Sequence, residues 1–227
     1  DTADGTGVVY DGAQVFQGES DIELGGSLSN GIVKTAGNAE GVPLETPNVP
    51  RTQETGRYTT DGDAGSPGVI VQTPRVTTLD VLNGNLEDVG GGSVREGSAS
   101  QSTGSANLTV VGAWNYDAAE NLELTVSDDT GLEVTGDVVE NGDTRTATDK
   151  GTDFGSTSPN RGGTPSTNEV EYPIDLSNSG TGTYTITLAG SDDLDFGEAS
   201  ESTNITVTGD DDASIEFDET TITRGED

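Results

Sequence analysis

An all-β fold is what this sequence predicts, and three observations predict it. The apolar residues fall in short alternating runs such as "ANLTVVGAW", "LELTV" and "TYTITLAG", the period-2 pattern of strands with one buried face. Helical patterning is almost absent. Hydrophobic residues make up only 29% and aromatics 4%, so any core is thin and built from Val, Ile, Leu and Thr. Low hydrophobicity joined to a net charge of −33 is ordinarily the mark of a disordered chain. Disordered acidic tails do not carry this periodicity, and the reading is a folded β protein under an extreme acidic surface.

Taken in order, the first element is "VVYDGAQVFQGES", an alternating stretch that runs into a Gly18-Glu19 turn. In "TGRYTTDG" Tyr58 stands two residues after Gly56, and the strand-like run "GVIVQT" follows. "TGTYTITLAG" repeats the arrangement, with Tyr184 two residues after Gly182 and "STNITVT" following. In immunoglobulin-like sandwiches a Tyr at the start of the penultimate strand turns its hydroxyl back onto the preceding loop. Both tyrosines fit that corner, a common Gly-x-Tyr hairpin exit being the plain alternative. The prediction is therefore tandem immunoglobulin-like β-sandwich domains.

The boundary falls in "QTPRVTTLDV", where Pro74 interrupts a strand pattern. A first domain spans 1–75 and a second 76–210, the second with strands near 107–114, 122–126, 170–176, 184–188 and 202–208. Between them "DKGTDFGSTSPNRGGTPSTNE" (149–169) is a long exposed loop by composition. At the end, Ile215, Phe217, Thr221 and Thr223 alternate in "SIEFDETTITRGED". This stretch aligns without gaps on the beginning: Tyr10-Asp11 on Phe217-Asp218, Val15 on Ile222, Gly18-Glu19 on Gly225-Glu226. Residues 211–227 are expected to be the first strand of a further domain, in a protein that continues as a string of such units.

Charge narrows the partners. Lys and Arg number 9 against 42 Asp and Glu, and Lys34 and Lys150 are the only lysines. Such a surface repels nucleic acid and the anionic face of a membrane. It suits a protein bathed in concentrated salt, where screening removes self-repulsion. No run has the apolar length to span a bilayer. With no Met in the sequence, a processed N-terminus is expected, most simply one from which a secretory signal has been removed.

The chemistry available is limited. With no Cys and no His, disulfides, thiolate metal sites, a Ser-His-Asp triad, a Cys nucleophile and His-bound zinc are all excluded. Carboxylate pairs of the glycosidase kind carry no specificity among 42 acids, and 1 Trp with 5 Tyr is a meagre supply of sugar platforms. The expectation is a non-enzyme.

Two sequons stand out, Asn107-Leu108-Thr109 and Asn204-Ile205-Thr206. An Asn amide accepts a glycan when a hydroxyl lies two residues on. On alternating strands each Asn would share the outward face with its Thr, and Asn107 ranks first because its strand is the better defined. Acids cluster in "SDDLDFGE" (191–198) and "GDDD" (209–212). Asp210, Asp211 and Asp212 are the candidates for Ca2+ or Mg2+ at an interdomain junction, since hard cations take oxygen cages. A solvated acidic surface is the competing reading.

Assembled, the stretches "VFQGES", "KTAGNAEGV", "TPRVTTLDVL", "AWNYDAAENLELTV", "GTYTITLAGSDDLDFGEASES" and "SIEFDETTITRGED" give the chain its resemblance to a known family. It resembles the N-terminal part of the haloarchaeal S-layer glycoproteins, the major cell surface glycoproteins of extreme halophiles. That resemblance implies tandem immunoglobulin-like domains, N-linked glycans and an extracellular place in the cell envelope. It also implies self-association into a hexagonal two-dimensional lattice, a divalent-cation requirement, and a distant C-terminal membrane anchor that is absent from these residues. The competing function is a secreted halophile adhesin or ligand-binding protein built of the same domains.

Overall fold

The computed structural model describes residues 7–97, 106–139, 146–147 and 169–209. Fourteen strands are formed among them, with one single-turn α-helix, α1 (Thr135–Val138), and two 3-10 turns, Gly26–Leu28 and Gly197–Ala199. The all-β expectation holds. Thr and β-branched residues dominate because a pleated surface with one buried face accommodates them best.

The first group of strands is β1 (Gly7–Val9), β2 (Gln14–Phe16), β3 (Ile22–Leu24), β4 (Val33–Lys34), β5 (Gly56–Thr59) and β6 (Gly68–Gln72). They make a parallel β1–β3 ribbon and a four-stranded sheet ordered β2–β6–β5–β4. Val9, Val15, Ile22, Leu28, Ile32, Tyr58, Val69 and Val71 close its core. Tyr58 is fully buried, and its hydroxyl donates to Glu54 O at 2.6 Å. This is the back-turned corner that the Gly-x-Tyr spacing predicts.

The second group is β7 (Val76–Leu82), β8 (Ser93–Arg95), β9 (Asn107–Trp114), β10 (Leu122–Ser127), β11 (Thr146–Ala147), β12 (Val170–Asp175), β13 (Gly182–Gly190) and β14 (Glu201–Thr208). A three-stranded sheet, β12–β9–β7, packs on a five-stranded one, β11–β10–β13–β14–β8. β10 and β13 alternate buried and half-exposed residues, as their sequences predict. Leu122, Leu124, Val126, Ile186 and Leu188 face Leu108, Val110, Trp114, Tyr172 and Ile174 in one core. The sheets meet closely at Gly112, where a Cβ would lie 2.8 Å from Leu188 Cδ1. Tyr184 forms the second corner, its hydroxyl donating to Ser179 O and, at 3.0 Å, to Gly180 O.

Strand pairing changes partners between β6 and β7, at residues 73–75, where Asn115 accepts from Arg75 N at 2.7 Å and donates to Thr73 O at 3.0 Å. The expected loop at 149–169, apart from Glu169, lies outside the described residues, as does the terminal strand at 211–227.

Candidate functional site

Two places gather polar chemistry, one on the surface and one between the two strand groups. On the surface, the outward residues of β10, β13, β14 and β8 stand in rows across the five-stranded sheet. Thr125, Thr187 and Ser202 form one row, Ser127, Thr185 and Asn204 the next, and Thr183, Thr206 and Ser93 the third. Cross-strand contacts tie them: Thr187 Oγ1 to Ser202 Oγ at 2.8 Å, Thr185 Oγ1 donating to Asn204 Oδ1 at 3.0 Å, and Thr183 Oγ1 to Thr206 Oγ1 at 3.4 Å. In a chain of net charge −33 these nine positions carry no charge. Asn204 lies in the middle row, exposed; its amide oxygen accepts from Thr185, and Thr206 stands two residues on along the same face.

The other sequon does not share this setting. An outward Asn107 and Thr109 are expected from alternation, but Asn107 is 7% exposed and Thr109 fully buried. The reason is the place of the strand. β9 is the middle strand of its sheet, and all eight of its residues are buried, so it follows the rule for a strand covered on both faces. With its amide oriented to satisfy both groups, Asn107 Nδ2 donates to the Asp175 carboxylate, 2.6 Å from Oδ1.

Between the strand groups, the turn at 16–20 seats against Tyr116, Glu120 and the loop at 191–196. Phe16 belongs to the second core rather than the first, its ring meeting Tyr116 edge-on at 6.4 Å. A Cβ at Gly18 would lie 2.3 Å from Phe196 Cε1, and its φ of +90° is one that L side chains avoid. Ser20 Oγ donates to Asp193 Oδ2. The Arg51 guanidinium stacks on Phe196, 3.7 Å from the ring centroid.

Two carboxyls are sealed into this joint. Glu120, 2% exposed, accepts from Asp192 N at 2.8 Å, Asp193 N at 2.9 Å and Leu194 N at 2.9 Å. Burial raises its pKa; those backbone N–H groups pull it down, and the Asp192 charge raises it further. Glu19, 1% exposed, receives one N–H, from Phe16 at 2.8 Å on Oε2, and its buried Oε1 has no hydrogen-bond partner. Burial pushes its carboxyl up to about 7, with the Glu120 and Asp193 charges adding to the rise, while the Phe16 N–H opposes it. Sequence reading takes Glu19 as an ordinary turn residue. Nothing local marks its burial, which arises from a contact with residues some 170 positions away.

No group of three acidic side chains at metal-binding spacing occurs among the described residues, and Asp210, Asp211 and Asp212 lie outside them. No helix among the described residues is long and apolar enough to cross a membrane.

No family model matches the chain. Individual relatives do. The chain is 37% identical over 228 residues to a cell surface glycoprotein of Haloarcula marismortui, covering 98% of this chain and 25% of that protein. To the cell surface glycoprotein of Haloarcula japonica it is 39% identical over 236 residues, 100% of this chain and 27% of that one. The Halobacterium salinarum cell surface glycoprotein is 36% identical over 229 residues, 96% and 25%. The chain thus spans about a quarter of the length of the curated relatives it matches. Among solved structures, the Yersinia pseudotuberculosis adhesin InvE aligns with 70% of this chain and 41% of its own at 14% identity, with a TM-score of 0.27. With 36–39% identity along nearly its whole length, this chain belongs with the haloarchaeal cell surface glycoproteins.

Proposed function

We propose that the chain is part of an extracellular surface-layer glycoprotein that self-associates into a two-dimensional lattice coating a halophilic archaeal cell. The observation that carries this reading is the identity of 36–39% to cell surface glycoproteins over 96–100% of the chain. Its physics is compatible with the role. Two small β units share an acidic exterior suited to brine, and lateral packing of such units makes a wall by repetition rather than by catalysis. The role is structural, without an enzymatic step.

Glycosylation belongs to the same proposal, with Asn204 now ahead of Asn107. At Asn204 the amide nitrogen would attack the anomeric carbon of a phosphate-activated sugar, the phosphate leaving and the amide losing a proton. The exposed, uncharged face around it leaves room for the product. Divalent cations, expected at Asp210–Asp212, and the hexameric form of the lattice are parts of the reading that the native assembly would test.

The experiment is electron cryotomography of native envelopes, with this protein labelled, together with assembly of the purified full-length glycoprotein in molar NaCl with and without Ca2+. Ordered sheets containing the label are expected. Dispersed protein that binds a foreign surface would favour the adhesin reading instead.

A further inference from the structure

We propose that the Glu19 carboxyl is a proton-operated latch on the joint between the two strand groups. Neutral, it lets the turn at 16–20 seat against the loop at 191–196; ionised, it drives them apart.

The joint is a true contact surface. Phe16 enters the second core against Tyr116, Gly18 leaves no room for a side chain beside Phe196, and Ser20 donates to Asp193. Into that surface the chain places two carboxyls, at 1% and 2% exposure, with the Glu120 charge acting on Glu19. They are not equivalent. Glu120 is cradled by three backbone N–H groups, which favour its charged form and offset part of the rise that burial causes. Glu19 has one N–H and a bare Oε1.

The charges facing Glu19 are Glu120 and Asp193 from the second group, with the Asp192 charge acting on Glu120. The Arg51 guanidinium is stacked on Phe196, and Arg75 pairs with Glu198. An ionised Glu19 would therefore be a buried charge among like charges, which is far more costly than a neutral carboxyl with one oxygen unpaired. Among the described residues no three acids stand at metal-binding spacing.

The sign follows from linkage. The docked state holds the proton up to about pH 7, whereas an undocked Glu19 releases it near the ordinary 4.5. Docking is strongest below 4.5, weakens by up to tenfold per pH unit between there and about 7, and is level above.

The test is small-angle scattering and Trp114 emission of the 227-residue chain across that pH range at fixed molar NaCl. Trp114 is the only Trp, and its Nε1 donates to Glu120 O at 3.1 Å, so it reports on the joint. The wild-type chain is expected to expand as pH rises through the window, and Glu19→Gln to stay docked throughout. Should Glu19→Gln fail to fold, Asp193→Asn, which keeps an acceptor for Ser20, must dock more tightly than wild type at pH about 8. A wild-type chain that does not expand, a Glu19→Gln chain that expands alongside it, or an unmoved Asp193→Asn overturns the latch. The response is expected to be the same with EDTA; a response seen only with EDTA would mean that a metal ion holds the carboxylate, and would also overturn it.

Discussion

Tyr58 and Tyr184 make the same turn back onto the preceding loop, yet they should not be worth the same. The Tyr58 hydroxyl donates to Glu54 O and accepts from Gln53 Nε2 at 2.7 Å, in a fully buried site. Tyr58→Phe strands both partners and is expected to cost about 1–3 kcal/mol in urea unfolding at constant NaCl. The Tyr184 bonds lie nearer solvent, where water can replace the lost hydroxyl, and Tyr184→Phe is expected to cost about 1 kcal/mol. Equal losses would show that the two corners are equally dry. Asn204 is tested by peptide mass spectrometry on native material: a hexose-bearing peptide is expected at Asn204 and lost in Asn204→Gln, with stability changed by less than about 0.5 kcal/mol. A bare Asn204 peptide would remove that site. At this scale the sequence shows what depends on spacing, such as Gly-x-Tyr and Asn-x-Thr. It hides what depends on distant packing, which is why Asn107 looks outward on paper and is buried against Asp175, and why Glu19 passes for a turn residue.

Among the elements, β9, β10, β12, β13 and β14 are legible because each is long and strongly patterned. β8 is not, being three residues that pair in parallel with the end of β14 across more than a hundred positions. β7 is masked by Pro74 just before it and by a register irregularity between Val76 and Thr78, which break the alternation that would reveal it. Two glycines test how rigidly the sheets are set. At Gly112 an added methyl meets the tips of Leu188 and Leu122, which can shift, and Gly112→Ala is expected to cost about 1–3 kcal/mol. At Gly68, opposite Thr59 in the β5–β6 pair, it meets the backbone oxygen of Tyr58 at 2.0 Å, which cannot move without breaking the ladder. Gly68→Ala is therefore expected to be the more damaging of the two, by urea midpoint at constant NaCl. The reverse order would mean that β5 and β6 slide more easily than the second sandwich repacks.

For the molecule as a whole, the question is how a thin core tolerates its own charge. A surface of 12,025 Å² carrying a net charge of −33 leaves one net charge per about 360 Å², or neighbours about 19 Å apart. At 0.1 M salt the screening length is about 10 Å, so neighbouring charges still repel; at 1 M it is about 3 Å and the repulsion is gone. Compensation by ion pairs is slight. Among the described residues the pair on the surface is Arg75–Glu198 at 3.5 Å, with both side chains 59% exposed, and an exposed pair contributes little. Removing repulsion should therefore outweigh weakening attraction, and the melting temperature is expected to rise steadily from about 0.1 M to above about 1 M NaCl. The two strand groups should respond together while the joint at Glu19 is closed, and separate into two transitions where it is open. A melting series in NaCl, run near pH 5 and near pH 8, measures both effects. A flat or falling series would refute the brine-adapted surface. A rising series with the same single transition at both pH values would leave that surface intact and count against the latch alone.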